Sequence, residues 1–100
     1  MNSKLRIGIV GCGAIGGSLA NAVIDNFSKQ ANLSALYDLD IPKSKKLAKK
    51  TGKSKLSVNR LDDLIKRSDL VIEAASAGAS FEIAKAALKS RKSVMIMSVG

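Results

Sequence analysis

The chain has 100 residues, enough for one small domain whose core has little margin. A hydrophobic fraction of 46% excludes a disordered tail, and an aromatic fraction of 3% leaves Ile, Leu, Val and Ala to build the core. The net charge of +9 would suit a nucleic-acid partner. However, Phe27, Phe81 and Tyr37 are the only aromatics, and no base-stacking strand motif, helix-turn-helix or zinc-finger spacing accompanies the lysines. The charge therefore reads as a local field on a soluble surface, with no nucleic-acid partner expected. Cys12 is the single cysteine, which fits a reducing compartment. No secretory leader or apolar run of about 20 residues is present, so no membrane partner is expected and the cytoplasm is the default.

Leu5 to Val10 is apolar, is bounded by Gly11 and reads as a buried strand. From Ala14 the period changes: Ile15, Leu19, Val23 and Phe27 recur every fourth residue and predict one buried helical face. Leu33 to Asp38 is the second strand. Asp40 is an N-cap candidate for the next helix, Pro42 suits its first turn, Leu47 and Ala48 point inward, and Gly52 ends it. Lys55 to Val58 reads as a short third strand and Leu61 to Arg67 as two helical turns. Leu70 to Glu73 is the fourth strand. A helix over Phe81 to Ser90 turns Phe81, Ala84, Ala87 and Leu88 one way, and Ser93 to Val99 is an apolar, central fifth strand. Strands alternating with helices predict an α/β fold: a doubly wound, mostly parallel Rossmann sheet of order 3-2-1-4-5.

Between the first strand and the first helix lies Gly11-Cys12-Gly13-Ala14-Ile15-Gly16. Gly11 permits the tight turn, Gly13 lets a pyrophosphate approach the backbone, and Gly16 allows close helix packing. The helix start then offers unpaired N–H groups and a positive dipole end to phosphates. Asp38, at the end of the second strand, suits the adenosine ribose hydroxyls and favours NAD. Lys43, Lys45 and Lys46 follow it where a 2′-phosphate would lie, so NADP is expected to bind too, more weakly; from Lys49 onward the lysines read as a solvated face. Cys12 reads as a small packing residue. A P-loop is excluded because no Gly-Lys-Ser/Thr follows the turn. S-adenosylmethionine enzymes usually carry an acid where this chain has Ile9-Val10.

The fourth strand ends Glu73-Ala74-Ala75-Ser76 and the fifth Met97-Ser98-Val99-Gly100. Both ends flank the crevice of a doubly wound sheet, where Ala74, Ala75 and Ser76 leave room for a nicotinamide and Ser76 and Ser98 add hydrogen-bonding groups. Together with Ile7-Gly8-Ile9-Val10 and the glycine turn, these motifs resemble the N-terminal part of L-aspartate dehydrogenase. The resemblance runs along the whole chain but covers only the cofactor half of that enzyme. It implies oxidation of L-aspartate to iminoaspartate with NAD or NADP, feeding NAD biosynthesis or hydrolysing to oxaloacetate and ammonia. It also implies cofactor contacts at Cys12 to Ile15, Asp38, Ala74 to Ser76, and Ser98-Val99. The family's proposed catalytic histidine has no counterpart, because the chain contains no histidine.

Residues 1–100 are therefore expected to be a dinucleotide-binding domain cut from a longer chain with a C-terminal substrate domain. That missing domain would take the amino-acid substrate, and the isolated piece would bind cofactor without turnover. No catalytic residue and no metal ligand is assigned here, and homo-oligomer formation stays open. The alternatives are a stand-alone NAD(H)-sensing module and another amino-acid-linked dehydrogenase, such as homoserine dehydrogenase.

Overall fold

The computed structural model describes residues 4–98. Its elements are β1 (Leu5–Val10), α1 (Ala14–Asn26), β2 (Ala31–Tyr37), α2 (Ile41–Lys50), a 3-10 turn (Ser54–Leu56), α3 (Leu61–Arg67), β3 (Leu70–Glu73), α4 (Ala77–Lys89) and β4 (Ser93–Ile96). Among the described residues the strands form one parallel sheet of order β2-β1-β3-β4. That is the anticipated doubly wound order without its outermost strand.

Alternation along the strands sorts the core into two layers. Ile7, Ile9 and Ile72 pack with Ala20, Val23 and Leu47 of α1 and α2. Val10 and Val71 pack with Leu64, Ile65, Ile83 and Ala87 of α3 and α4 on the other face. In β2 the alternation slips: Ile7 pairs with Leu33 but Gly8 with Ala35. This irregularity at Ser34 puts Leu33 and Leu36 on the same side although they are three residues apart.

The third strand expected at Lys55 to Val58 does not form. Lys53 and Ser54 carbonyls accept the N–H groups of Leu56 and Ser57 in a tight turn, so only Ser57 bridges to Leu36. The bridge lies beside β2, where that strand was expected. Ser44, wholly buried, bonds the Ile41 carbonyl at 2.9 Å and the Ser57 hydroxyl at 3.0 Å, tying α2 to this segment.

Two helical faces differ from the periodicity. The buried stripe of α1 is Gly16, Ala20 and Val23, whereas Ile15 and Phe27 are exposed. Small residues let the helix lie close to the sheet, and Phe27 is already past the helix end, its carbonyl accepting from Gln30 and Ala31. In α4 the buried pair is Ile83 and Ala87; Phe81 and Leu88 face outward. That helix also starts earlier than expected, because the Ser76 hydroxyl caps it by accepting from the Ala79 N–H at 3.3 Å. The last strand was expected to be central and to reach Val99. It ends at Ile96 and lies at the sheet edge among the described residues, with Met95 and Ile96 exposed. No described helix is long and apolar enough to cross a membrane.

Candidate dinucleotide site

The sheet order brings the ends of β1, β2 and β3 side by side, and the loops leaving them form the site. The Gly11 N–H donates to the Tyr37 carbonyl at 2.8 Å, continuing the β1–β2 ladder one step beyond the strand. Gly11 then turns with φ of 100°, a conformation that side chains resist. A Cβ there would also lie 2.6 Å from the Ala74 carbonyl carbon and the Ala75 nitrogen. One residue thus sets both the turn and the close approach of the β3–α4 loop. A Cβ on Gly16 would drive into the Gly11 carbonyl oxygen, so α1 can start this close to β1 only with glycine there.

Helix α1 begins with Gly13 at its N-cap, without a side-chain cap and without an acid in its first turn. Its first intrahelical bond runs from the Gly17 N–H to the Gly13 carbonyl at 2.8 Å. The N–H groups of Ala14, Ile15 and Gly16 precede that bond and have no helical partner. The Cβ position of Gly13 meets nothing within 4 Å. An uncapped helix start beneath open space fits a phosphate.

Asp38 follows β2 and is half-buried. Its Oδ2 accepts from the Cys12 N–H at 2.8 Å and its Oδ1 from the Asp40 N–H at 2.9 Å. The carboxylate thereby stitches the glycine turn to the end of β2. A carboxylate offers about four lone-pair positions, so about two remain for a ligand. Asp40 holds the N-cap position of α2, but its side chain makes no cap bond.

Two clefts meet at the glycine turn. The first, ≈ 510 Å³, is lined by Gly11, Gly13, Asp38, Lys43 and the Ala74–Ser76 turn. The second, ≈ 430 Å³, lies between α1 and α2, with Cys12, Gly13 and Ala14 on one side and Lys43 and Lys46 on the other. Lys43 borders both, whereas Lys45 borders neither. Among the remaining expected site residues, Ile15 is exposed and its side chain lies outside both clefts. Gly16 is buried below the turn, Ser98 bonds to Glu73 and lines neither cleft, and Val99 lies outside the described residues.

Residues not anticipated from sequence also line the first cleft, among them Leu39, Leu61, Glu82 and Ile83. Leu39 is 85% exposed, a large apolar side chain next to Asp38. Its signal in the sequence is a leucine flanked by two aspartates just past a strand, where no core contact is available.

Cys12 is buried, its thiol 3.6 Å from the Tyr37 carbonyl. Burial, reinforced by the nearby Asp38 carboxylate, pushes the thiol up to about 12. It stays protonated at neutral pH and serves as packing, not as a nucleophile. Glu73 is fully buried and accepts from Ala75, Ser76 and Ser98. Among the described residues no group of three or more His, Cys, Asp or Glu is arranged to hold a metal.

Known proteins are similar to this chain in sequence and in fold. The family model for the NAD-binding domain of homoserine dehydrogenase matches residues 11–100. L-aspartate dehydrogenase from Methanocaldococcus jannaschii is 50% identical over 96% of this chain and 36% of its own length. The enzyme of that name from Methanocella arvoryzae is 50% identical over 95% of this chain and 34% of its own. The chain thus spans about a third of the length of the curated relatives it matches. Among solved structures, myo-inositol dehydrogenase from Lactobacillus casei, in complex with NAD(H) and myo-inositol, superposes with a TM-score of 0.82 at 19% identity, over 94% of this chain and 28% of the other. UDP-N-acetylglucosamine 3-dehydrogenase from Acidithiobacillus ferrooxidans gives 0.81 at 18% identity, over 94% and 29%. At such identities the structures speak for the Rossmann-type fold alone. The chain belongs to the family of NAD-binding domains described for homoserine dehydrogenase, and along its length it resembles L-aspartate dehydrogenase.

Proposed function

We propose that the chain is the cofactor half of an L-aspartate dehydrogenase, which oxidises L-aspartate to iminoaspartate with NAD and, less tightly, NADP. The observation that carries this reading is the 50% identity to L-aspartate dehydrogenases along nearly the whole chain. A bound nicotinamide would supply the acceptor for a hydride from the substrate α-carbon.

This chain's own groups bind and orient. The backbone N–H groups of Ala14, Ile15 and Gly16 hold the pyrophosphate, which can approach because Gly13 has no side chain. The remaining lone pairs of Asp38 accept the ribose hydroxyls. Ala74, Ala75 and Ser76 leave room for the nicotinamide ribose, and Ser98 borders the ring. Lys43 and Lys46, which line the clefts, offset the repulsion between Asp38 and a 2′-phosphate; Lys45 is left to solvent.

Acid–base chemistry on the amine and on the imine's water needs a group that can exchange protons in the crevice. Glu73 is buried with its oxygens occupied by four donors, so it does not serve. That group, and the cations for two substrate carboxylates, belong to a substrate domain beyond these residues. Residues 1–100 alone would therefore bind cofactor without turning over. A cytoplasmic location fits the same reading.

Assaying the intact protein with NAD and L-aspartate, then with L-homoserine, tests the proposal. Oxidation of aspartate with release of ammonia is expected. Oxidation of homoserine instead would follow the family model's description and overturn the aspartate assignment.

A further inference from the structure

Glu73 ends β3, the strand beside β1. Its side chain is fully buried, yet it is joined to the segments that follow β3 and β4. Oε2 accepts from the Ala75 N–H at 2.7 Å and the Ser76 N–H at 2.9 Å. Oε1 accepts from the Ser98 hydroxyl at 2.5 Å and, at a longer 3.4 Å, from the Ser98 N–H. A carboxylate cannot donate and has about four lone-pair positions, so the set is full. The Met97 N–H donates to the Glu73 carbonyl at 2.8 Å, which ties the segment after β4 to the same residue.

The consequence falls on Ser98. A hydroxyl has one proton and two lone pairs. Ser98 spends its proton on Glu73, so toward any ligand that reaches it its oxygen can only accept. Ser98 is half-buried, and the carboxylate that holds it also holds Ser76, which lines the larger cleft.

We propose that Glu73 is a positioning residue that makes Ser98 an acceptor-only contact for the N–H of a primary carboxamide, and so favours a nicotinamide ring over rings lacking that amide. The proposal rests on the reading of the crevice as a nicotinamide dinucleotide site. A carbonyl substituent without N–H would find no donor at Ser98 and would gain nothing from it. A serine whose proton were free to swing would accept either group, so the selectivity comes from Glu73.

Equilibrium binding to the intact protein, measured by titration calorimetry with NAD and with its 3-acetylpyridine analogue, separates these cases. The analogue keeps the carbonyl and replaces the amide nitrogen with a methyl group. The protein is expected to favour NAD. Ser98→Ala should weaken NAD about five- to tenfold and leave the analogue within about twofold, so the preference collapses. Ser98→Thr, which retains a hydroxyl, should restore it. Glu73→Gln turns an amide N–H₂ toward Ser98, takes away its acceptor and should collapse the preference in the same way. Ser98 is only half-buried, so the serine variants decide between the cases even if Glu73→Gln fails to fold. Equal weakening of both dinucleotides in Ser98→Ala, or no change in either, would overturn the proposal. Failure of the unmodified protein to bind NAD at all would overturn the nicotinamide reading itself, and the proposal with it.

Discussion

Asp38 and Glu73 invite comparison because the chain puts them in equivalent places. Each is an acid at the carboxyl end of a strand that flanks β1, one on either side. Each accepts backbone N–H groups from a neighbouring loop. They differ in how much of the carboxylate is used. Asp38 takes two bonds, is half-buried and lines the larger cleft. Glu73 takes four and is sealed from solvent. An acid with spare lone pairs facing a cleft is available to a ligand, whereas an acid with none is scaffold. Strand position alone does not distinguish the two; the count of donors does.

The largest effect should come from emptying the filled site. Glu73→Ala leaves three backbone N–H groups and the Ser98 hydroxyl without their acceptor, and a loss of about 3 kcal/mol in unfolding free energy is expected. Urea denaturation of the intact protein measures it. A loss within about 0.5 kcal/mol would mean that water replaces the carboxylate, and the contrast with Asp38 would fail.

Asp38→Ala should act on affinity more than on folding. NAD binding is expected to weaken about tenfold to a hundredfold, with NADP less affected because its 2′-phosphate no longer faces a carboxylate. Titration calorimetry at fixed low salt reads both. Unchanged NAD affinity would make Asp38 a second structural clamp. On the same reading, Lys43→Ala should weaken NADP only a few-fold and reduce the salt dependence of its binding.

Asp69 provides the smallest effect and a control at the opposite end of the same strands. It receives the Arg6 guanidinium at 2.8 Å and 3.2 Å and the Arg6 N–H at 2.9 Å. The Arg6 side-chain bonds come first in holding its carboxyl at about 2, below its ordinary 3.8. A depressed acid stabilises the fold in full above its unfolded value and loses that contribution as pH falls through its folded value. Asp69→Asn should therefore lower the melting temperature slightly at pH 7, with the difference fading between about pH 4 and pH 2. The pair is solvent-exposed, so only a small shift is expected. A large shift would mark Asp69 as a clamp of the Glu73 kind.

Much of the site is legible in the order of residues along the chain. The glycine turn, the acid after the second strand and the small residues after Glu73 are local patterns whose backbone demands leave few residue types. The fold gathers Gly11, Gly13, Asp38, Lys43 and Ala74 to Ser76 around one cleft. The helical faces are less legible. Ile15, Phe27, Phe81 and Leu88 fit an apolar period yet point outward, because α1 meets the sheet through Gly16 and Ala20 and α4 through Ile83 and Ala87. The strand expected at Lys55 to Val58 fails for a local reason, the tight turn that consumes its N–H groups.

Local patterns along the chain are enough to specify the alternating fold, the glycine turn and the acid after the second strand. Those depend on residues close together in sequence, where steric rules and hydrogen-bond valence act over a few positions. That Glu73 and Ser98 are bonded to each other is decided by tertiary contact alone. They stand 25 residues apart and meet because β3 and β4 lie side by side. A buried carboxylate's role is set by which donors the fold brings to it, and no pattern along the chain records that count.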